Sequence, residues 1–278
     1  MAILFVEIGC EEIPARLQKK AIADLQKGLV DQLCALGFAP DGGRCAISPR
    51  HMAVEITGLA DRLDDMVVER RGPRSDAPDK AIDGFCQSVG LPRDQLVEEV
   101  TEKGSFLFAR TTKTGAVLRG CLPELVRHVL AEFPWPKSQR WATSRMSWVR
   151  PLRRVNVLVD GVAIEGQLDL GGGMMMDFGQ HAQTHPFHAP DLIALSDFDS
   201  YVRDMKAGYV LVDHIARAAE IETQLAACAA EKGLKPVRDD GLLAETSGLV
   251  EWPQVIIGQI DADFMELPAE ILVTSMRV

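Results

Sequence analysis

The chain has 278 residues, 40 acidic against 30 basic, a formal net charge of −10, and 47% hydrophobic and 25% charged residues. This is ordinary globular composition with enough length for a sizeable core, and it excludes a wholesale nucleic-acid coat. There is no run of about 18 apolar residues, so no membrane partner is expected.

The N-terminal MAILFVEIGCEEIP has no basic lead-in and does not read as a signal peptide. Residues 3–8 read as a strand. A long helix is expected over 15–36, with Leu17, Ile22, Leu25, Leu29 and Leu33 near one face and Gly37 as its stop. Strands are expected at 44–47 and 52–57 around Ser48-Pro49-Arg50, and another at 66–71. RGPRSDAP, residues 71–78, reads as a loop, and 79–89 as a helix. A hairpin is expected over 96–103 and 106–112, turning at Lys103-Gly104-Ser105, then a helix over 117–133. A second hairpin is expected at 155–159 and 163–168 around Asp160-Gly161. Residues 171–190, opening with three consecutive Gly and three Met and then carrying three His, read as an irregular junction. Helices follow at 196–205, capped by Ser196, and at 213–232, then a strand at 255–260 and a helix from Pro268. ELPAEILVTSMRV ends without a cap, as if the chain stopped inside an element. The irregular alternation points to an α+β fold with mixed helices and mostly antiparallel sheet rather than a doubly wound one. Two parts are expected, residues 1–170 and 171–278.

The six cysteines (Cys10, Cys34, Cys45, Cys86, Cys121, Cys228) form no CxxC pair and read as reduced thiols of a cytoplasmic protein. The densest chemical signal is FPWPKSQRWATSRMSWVRPLRRVNV, residues 133–157, which has no Asp or Glu. Lys137, Arg140, Arg145, Arg150, Arg153 and Arg154 alternate there with Trp135, Trp141 and Trp148. Cations neutralise phosphates, and indoles offer faces for base stacking, a combination suited to RNA. The competing reading is a solvated edge whose tryptophans pack inward and whose cations pair with carboxylates elsewhere. His181, His185 and His188 near Asp177 could suggest a metal, but Pro186 breaks any regular element across them and polar loop histidines are the default. Gly171-Gly172-Gly173 lacks the GK[ST] of a phosphate loop. Glu11 and Glu12 more readily favour the start of the following helix than acid–base work. No catalytic residue is assigned.

Separated segments, in order, resemble the beta subunit of bacterial-type glycyl-tRNA synthetase. FVEIGCEEIP, SPRHMAV, Arg71-Gly72-Pro73 with Ala81-Ile82-Asp83-Gly84-Phe85, PKSQRW, SWVRPLRRV, LLAETSGLVEWP and LPAEILVTSM each resemble a family segment. Gln139 stands where the family usually has Met, and Thr184-His185-Pro186-Phe187 stands near its GHRF, with Pro186 in place of the Arg. That arginine's role is therefore not carried over. The resemblance implies an N-terminal fragment of a beta chain, lacking an HD-type and an anticodon-binding domain, within a heterotetramer. It implies two subdomains like the body and tail of archaeal CCA-adding enzymes. It further implies that the alpha subunit activates glycine with ATP and Mg, so no cofactor is expected in this chain, and that the beta subunit binds glycine tRNA; DNA is not expected as a partner. The residues expected to face RNA are Lys137, Arg140, Trp141, Arg145, Arg150, Arg153 and Arg154, with Arg50 and Arg74 from turns. In the alternative, this region mainly docks the alpha subunit through LLAETSGLVEWPQVIIG, with Trp252 as an anchor.

Overall fold

The structure is a computed structural model and describes residues 1–102 and 104–277. In chain order it runs β1 (Ala2–Cys10), α1 (Ala15–Ala35), β2 (Gly42–Ile47), β3 (His51–Leu59), β4 (Met66–Arg74), α2 (Asp79–Val89), β5 (Val97–Thr101), β6 (Gly104–Lys113) and α3 (Leu118–Ala131). It continues with β7 (Leu152–Val159), β8 (Val162–Ala163), β9 (Gln167–Gly171), β10 (Met174–Gly179), β11 (His181–Gln183), β12 (Leu192–Ala194), α4 (Phe198–Ala207), α5 (His214–Glu231), α6 (Asp240–Ser247) and α7 (Ala269–Met276). The class is α+β, with one parallel strand pair, β7–β10, among antiparallel ones. No helix of the described residues is long and apolar enough to cross a membrane.

The chain separates into two compact units, residues 1–60 with 119–278, and residues 61–118. This differs from the division expected at residue 170. β9 and β10 lie on either side of that point and pair with each other, and β10 pairs with β7, so one sheet runs through it.

In the larger unit the strand order is β2-β3-β1-β7-β10-β9, with β8 beside β7. β1 is central and nearly all buried, so it reads as an apolar run rather than an alternation. Its register puts Leu4, Val6 and Ile8 on one face with Ile56, Val54 and Met52 of β3. α1 packs against β2 and β3 and buries Ala21, Ile22, Leu25, Leu29 and Leu33. Each such leucine contributes about 1.5–3 kcal/mol by leaving water. α1 starts after Pro14 without a side-chain cap, and Gly37, at φ 97°, ends it. On the opposite face of β1, Phe5 packs with Leu158, Phe198, Tyr201 and Met205, bringing α4 onto the sheet. α4 is capped by Asp197 rather than Ser196. Ser200 N donates to Asp197 Oδ1 (2.8 Å) and Asp197 N to Ser200 Oγ (3.3 Å), a reciprocal pair that outcompetes a lone serine.

Arg217 of α5 is fully buried. Its Nε donates to Ser247 O (2.8 Å), and its Nη1 donates to Ile47 O (3.0 Å) and Leu211 O. One guanidinium thereby joins the end of α6, the end of β2 and the turn after α4. Burial pushes its pKa down to about 10, so it stays charged at neutral pH.

The smaller unit is a β4-β6-β5 sheet covered by α2, with Phe85 of α2 seated over Gly72. Its two chain ends hydrogen-bond to each other: Leu63 N donates to Ala116 O and Leu118 N to Asp61 O, both at 2.9 Å. Part of the expected loop 71–78 is strand. β4 is an edge strand, and its ladder skips between Arg71 and Arg74, so Pro73 needs no partner. Of the expected 103–105 turn, Lys103 lies outside the described residues.

Three further readings are corrected. Residues 171–190 are irregular only in part: 184–190 lie outside any helix or strand, but Gly171, Gly172 and Gly173 all have positive φ (75°, 62° and 81°) and turn the β9–β10 hairpin, and 181–183 form β11. The expected hairpin partner at 163–168 is only the two-residue β8, because β9 pairs with β10 instead. Residues 255–260 form no strand, since no neighbouring strand among the described residues receives them, and α6 was not anticipated.

Candidate nucleic-acid interface

The basic stretch folds as a pinned loop. Gln139 and Trp148 exchange both backbone hydrogen bonds (2.8 and 3.1 Å) and close residues 139–148 into a ring of chain. Arg145 N (2.7 Å) and Met146 N (2.9 Å) donate to Leu170 O, as does Ser144 Oγ (2.8 Å). The glycine turn makes this seat possible. A Cβ on Gly172 would lie 1.9 Å from Thr143 O, and one on Gly171 would lie 2.7 Å from Arg145 Cβ. Gly172→Ala should therefore cost about 2 kcal/mol or more, from the left-handed backbone and the clash together, lowering Tm and freeing the loop; an unchanged Tm would remove the glycine from this role.

The three tryptophans part company. Trp148 is fully buried, with its ring centroid 4.8 Å from Phe133 and 5.1 Å from Trp135. These two indoles anchor the loop from beneath, while Trp141 is half-buried outside that cluster. Lys137, Arg140, Arg145 and Arg150 are exposed and Arg154 is half-buried. Among the described residues none of these five has a carboxylate partner; the Arg150 guanidinium meets only Val149 O (3.0 Å). The remaining three candidates are tied down. Arg153 pairs with Glu11, which leaves Glu11 facing a cation rather than the start of α1. Arg50 Nη2 donates to Glu251 Oε2 (2.7 Å). Arg74, in the smaller unit, forks onto Asp76 (3.0 and 3.2 Å).

Beside Arg154 lies a polar cluster that the sequence did not reveal. Gly9 of β1 sits in register between His51 of β3 and Arg154 of β7, and Glu7 between Ala53 and Asn156. Glu7, wholly buried, accepts from Asn156 Nδ2 (2.6 Å) and is 2.8 Å from His51 Nδ1. Glu251, also buried, accepts from Ser48 Oγ (3.2 Å) and from Arg50, and lies 3.9 Å from His51 Nε2. Buried carboxylates this well partnered are held rather than free. Glu7 and His51, with Gly9, Arg50, Arg153 and Arg154, line a cleft of about 440 Å³ whose lining also includes Gln183, Thr184, Pro186 and Pro190. The one signal in the sequence was a glutamate inside an otherwise apolar strand.

The histidines of residues 181–188 do not gather as ligands. His181 pairs in β11, while His185 and His188 stack with centroids 4.4 Å apart. Among the described residues no group of three His, Cys, Asp or Glu is placed to hold a metal ion. His185 Nδ1 accepts from Phe187 N and His188 N (3.2 Å each), which needs a neutral ring. Burial, then the neighbouring His188, holds His185 below the usual imidazole pKa. Because the folded value is the lower one, this loop contact is fully present above about pH 6.5. It weakens as pH falls from there through the folded pKa. Amide exchange at Phe187 and His188 should accelerate at pH 5.5 relative to 7.5 once intrinsic rates are subtracted; equal protection would contradict it.

The ring row continues from His188 to Tyr209 (5.3 Å) and from Tyr209 to Trp252 (5.3 Å, interplanar 76°). Tyr209 has φ 62°, a backbone state that costs a side-chain-bearing residue about 1–2 kcal/mol.

Residues 4–278 match the family model described as glycyl-tRNA synthetase beta subunit. The chain is 40% identical to the glycine–tRNA ligase beta subunit of Ruegeria sp. (strain TM1040), 38% to that of Paracoccus denitrificans and 35% to that of Rhodospirillum centenum. Each match covers 100% of this chain but only 40%, 40% and 42% of those relatives, respectively. The chain belongs to the glycyl-tRNA synthetase beta subunit family.

Proposed function

We propose that this chain supplies a tRNA-binding surface of a glycine–tRNA ligase beta subunit. It supports ATP-dependent attachment of glycine to its tRNA, while an alpha subunit carries the activation of glycine with ATP and Mg. The observation that carries this reading is the set of five cations without carboxylate partners among the described residues, two on a pinned loop and three flanking it, in an otherwise acidic chain. Charges left unneutralised by the protein can replace counterions on phosphates. Lys137, Arg140, Arg145, Arg150 and Arg154 are the primary contacts, and Trp141 stacks on a base or supports the loop. Arg50, Arg74 and Arg153 can join only by leaving their carboxylates. No residue of this chain is assigned a catalytic role. The test is binding of glycine tRNA across a salt series beside a control tRNA; binding that ignores salt would end the reading.

A second reading has an observation of its own. Ile256, within the LLAETSGLVEWPQVIIG segment, is 89% exposed, and Val273 and Met276 of α7 are 64% and 67% exposed. Such apolar exposure suits alpha-subunit docking. A pull-down with the alpha chain, with and without tRNA, separates the two readings.

A further inference from the structure

Two features of the larger unit share the 183–190 loop. One is the cleft lined by Gly9, Arg50, Arg153, Arg154, Thr184 and Pro186. The other is the row of rings running from His185 through His188 and Tyr209 to Trp252. The loop is fastened to both. His185 N donates to Gly208 O (3.0 Å), next to Tyr209, and Leu211 N donates to Glu251 O (2.9 Å), next to Trp252. Glu251 in turn holds Arg50 at the cleft.

We propose that this cleft and ring row together hold unpaired nucleotides of an RNA, with a phosphate on Arg154 and bases against the rings. The inference rests on the RNA-binding reading above and narrows it to single-stranded nucleotides.

The charge count favours one phosphate. Of the three arginines lining the cleft, Arg50 and Arg153 are neutralised by Glu251 and Glu11. Arg154 has no carboxylate partner among the described residues. A duplex would ask for cations spaced along a backbone, whereas this cleft offers one unpaired guanidinium beside the carboxylates of Glu7 and Glu11. Those carboxylates would repel a second phosphate. Its volume of about 440 Å³ suits a small-ligand group and not a helix. Gly9, opposite Arg154 in the ladder, carries no side chain to obstruct approach to that guanidinium.

The rings supply the other half. Tyr209 is 41% exposed and follows α4 at a position where glycine would be strain-free. Its ring lies on the surface between those of His188 and Trp252, outside the cluster around Phe5. A strained residue that spends its side chain on the surface points to use rather than packing. Tyr, Trp and His faces are what unstacked bases bind. His185 is held below the usual imidazole pKa, so at neutral pH the row adds stacking surface while Arg154 adds the charge.

The test is fluorescence anisotropy with a labelled six-nucleotide single-stranded RNA, a blunt RNA duplex of the same sequence, and intact tRNA, each binding the whole chain. Two variants run alongside. Tyr209→Gly removes the ring and relieves the backbone, so it should fold at least as well; Arg154→Gln removes the charge. The expected result is a preference for the single strand over the duplex, an affinity for it about tenfold weaker in Tyr209→Gly, and a salt slope smaller by about one in Arg154→Gln. Binding of tRNA without binding of the hexanucleotide, or equal binding by Tyr209→Gly, would overturn this inference and leave the broader RNA reading standing. Failure of tRNA and hexanucleotide alike would overturn both. Loss of alpha-chain capture in Tyr209→Gly with RNA binding unchanged would make the row a protein surface and refute the nucleotide site.

Discussion

Arg140→Glu with Arg145→Glu should weaken tRNA binding by at least about 10- to 60-fold near 0.1 M salt and flatten the salt slope by about two. Each phosphate contact contributes about 0.9 to that slope, so two contacts account for the upper figure. The fold should not change: both side chains are exposed and neither is bonded to a carboxylate among the described residues. Equal Tm values for variant and parent are therefore part of the expected result. The weakening should be uniform across tRNA sequences, because phosphate contacts position and do not read bases. An unaltered slope with an unaltered Tm would strike this loop from the interface and leave the docking reading in possession of the surface.

Arg217→Met should lower stability by about 3–5 kcal/mol, the order expected for losing three hydrogen bonds from a charged donor. Methionine matches much of the arginine's length but donates nothing, so Ser247, Ile47 and Leu211 lose a donor to their carbonyls at once. Each buried carbonyl left without a partner costs about 1–3 kcal/mol. At about 2–4 °C per kcal/mol for a chain of this size, Tm should fall by roughly 10 °C. The charge itself is expensive to bury, as its lowered pKa records, so the loss measures the crosslink and not an attraction between ions. A fall of under 3 °C would mean that the three carbonyls find water or shift to new partners.

How much of this could be read from sequence depended on whether a residue's role was local. α1 and α2 were placed within about a residue from apolar spacing and from Gly37 and Pro78, because helix periodicity and its stops are local properties. The cation loop was legible as composition, and its tryptophans divided as neither simple reading foresaw: Trp148 is buried, half-buried Trp135 packs against it, and Trp141 is half-buried apart from them. What failed was set by partners far along the chain. Met174–Gly179 is a strand because β7 and β9 receive it, and methionines beside three glycines give little local hint of that. Residues 255–260 have a strand's composition and no neighbour to pair with among the described residues. The polar network beside the cleft joins Glu7, His51, Asn156 and Glu251 from four distant segments, and no spacing rule connects them. Asp197 over Ser196 was a contest between adjacent caps, decided by Ser200.

The paired ends of the smaller unit have a consequence for how this chain can change over time. Residues 61–63 and 116–118 leave as two hydrogen-bonded strands of chain, so the unit opens and closes at a single point. Whatever happens between them need not alter the register of β3 or the start of α3. Loop-closure cost grows only with the logarithm of the enclosed length, so the enclosed segment could lengthen, shorten or be exchanged with little thermodynamic effect on its host. The chain behaves as a frame with a cassette slot, and variation among lineages is expected to concentrate in the cassette while the frame keeps its cleft.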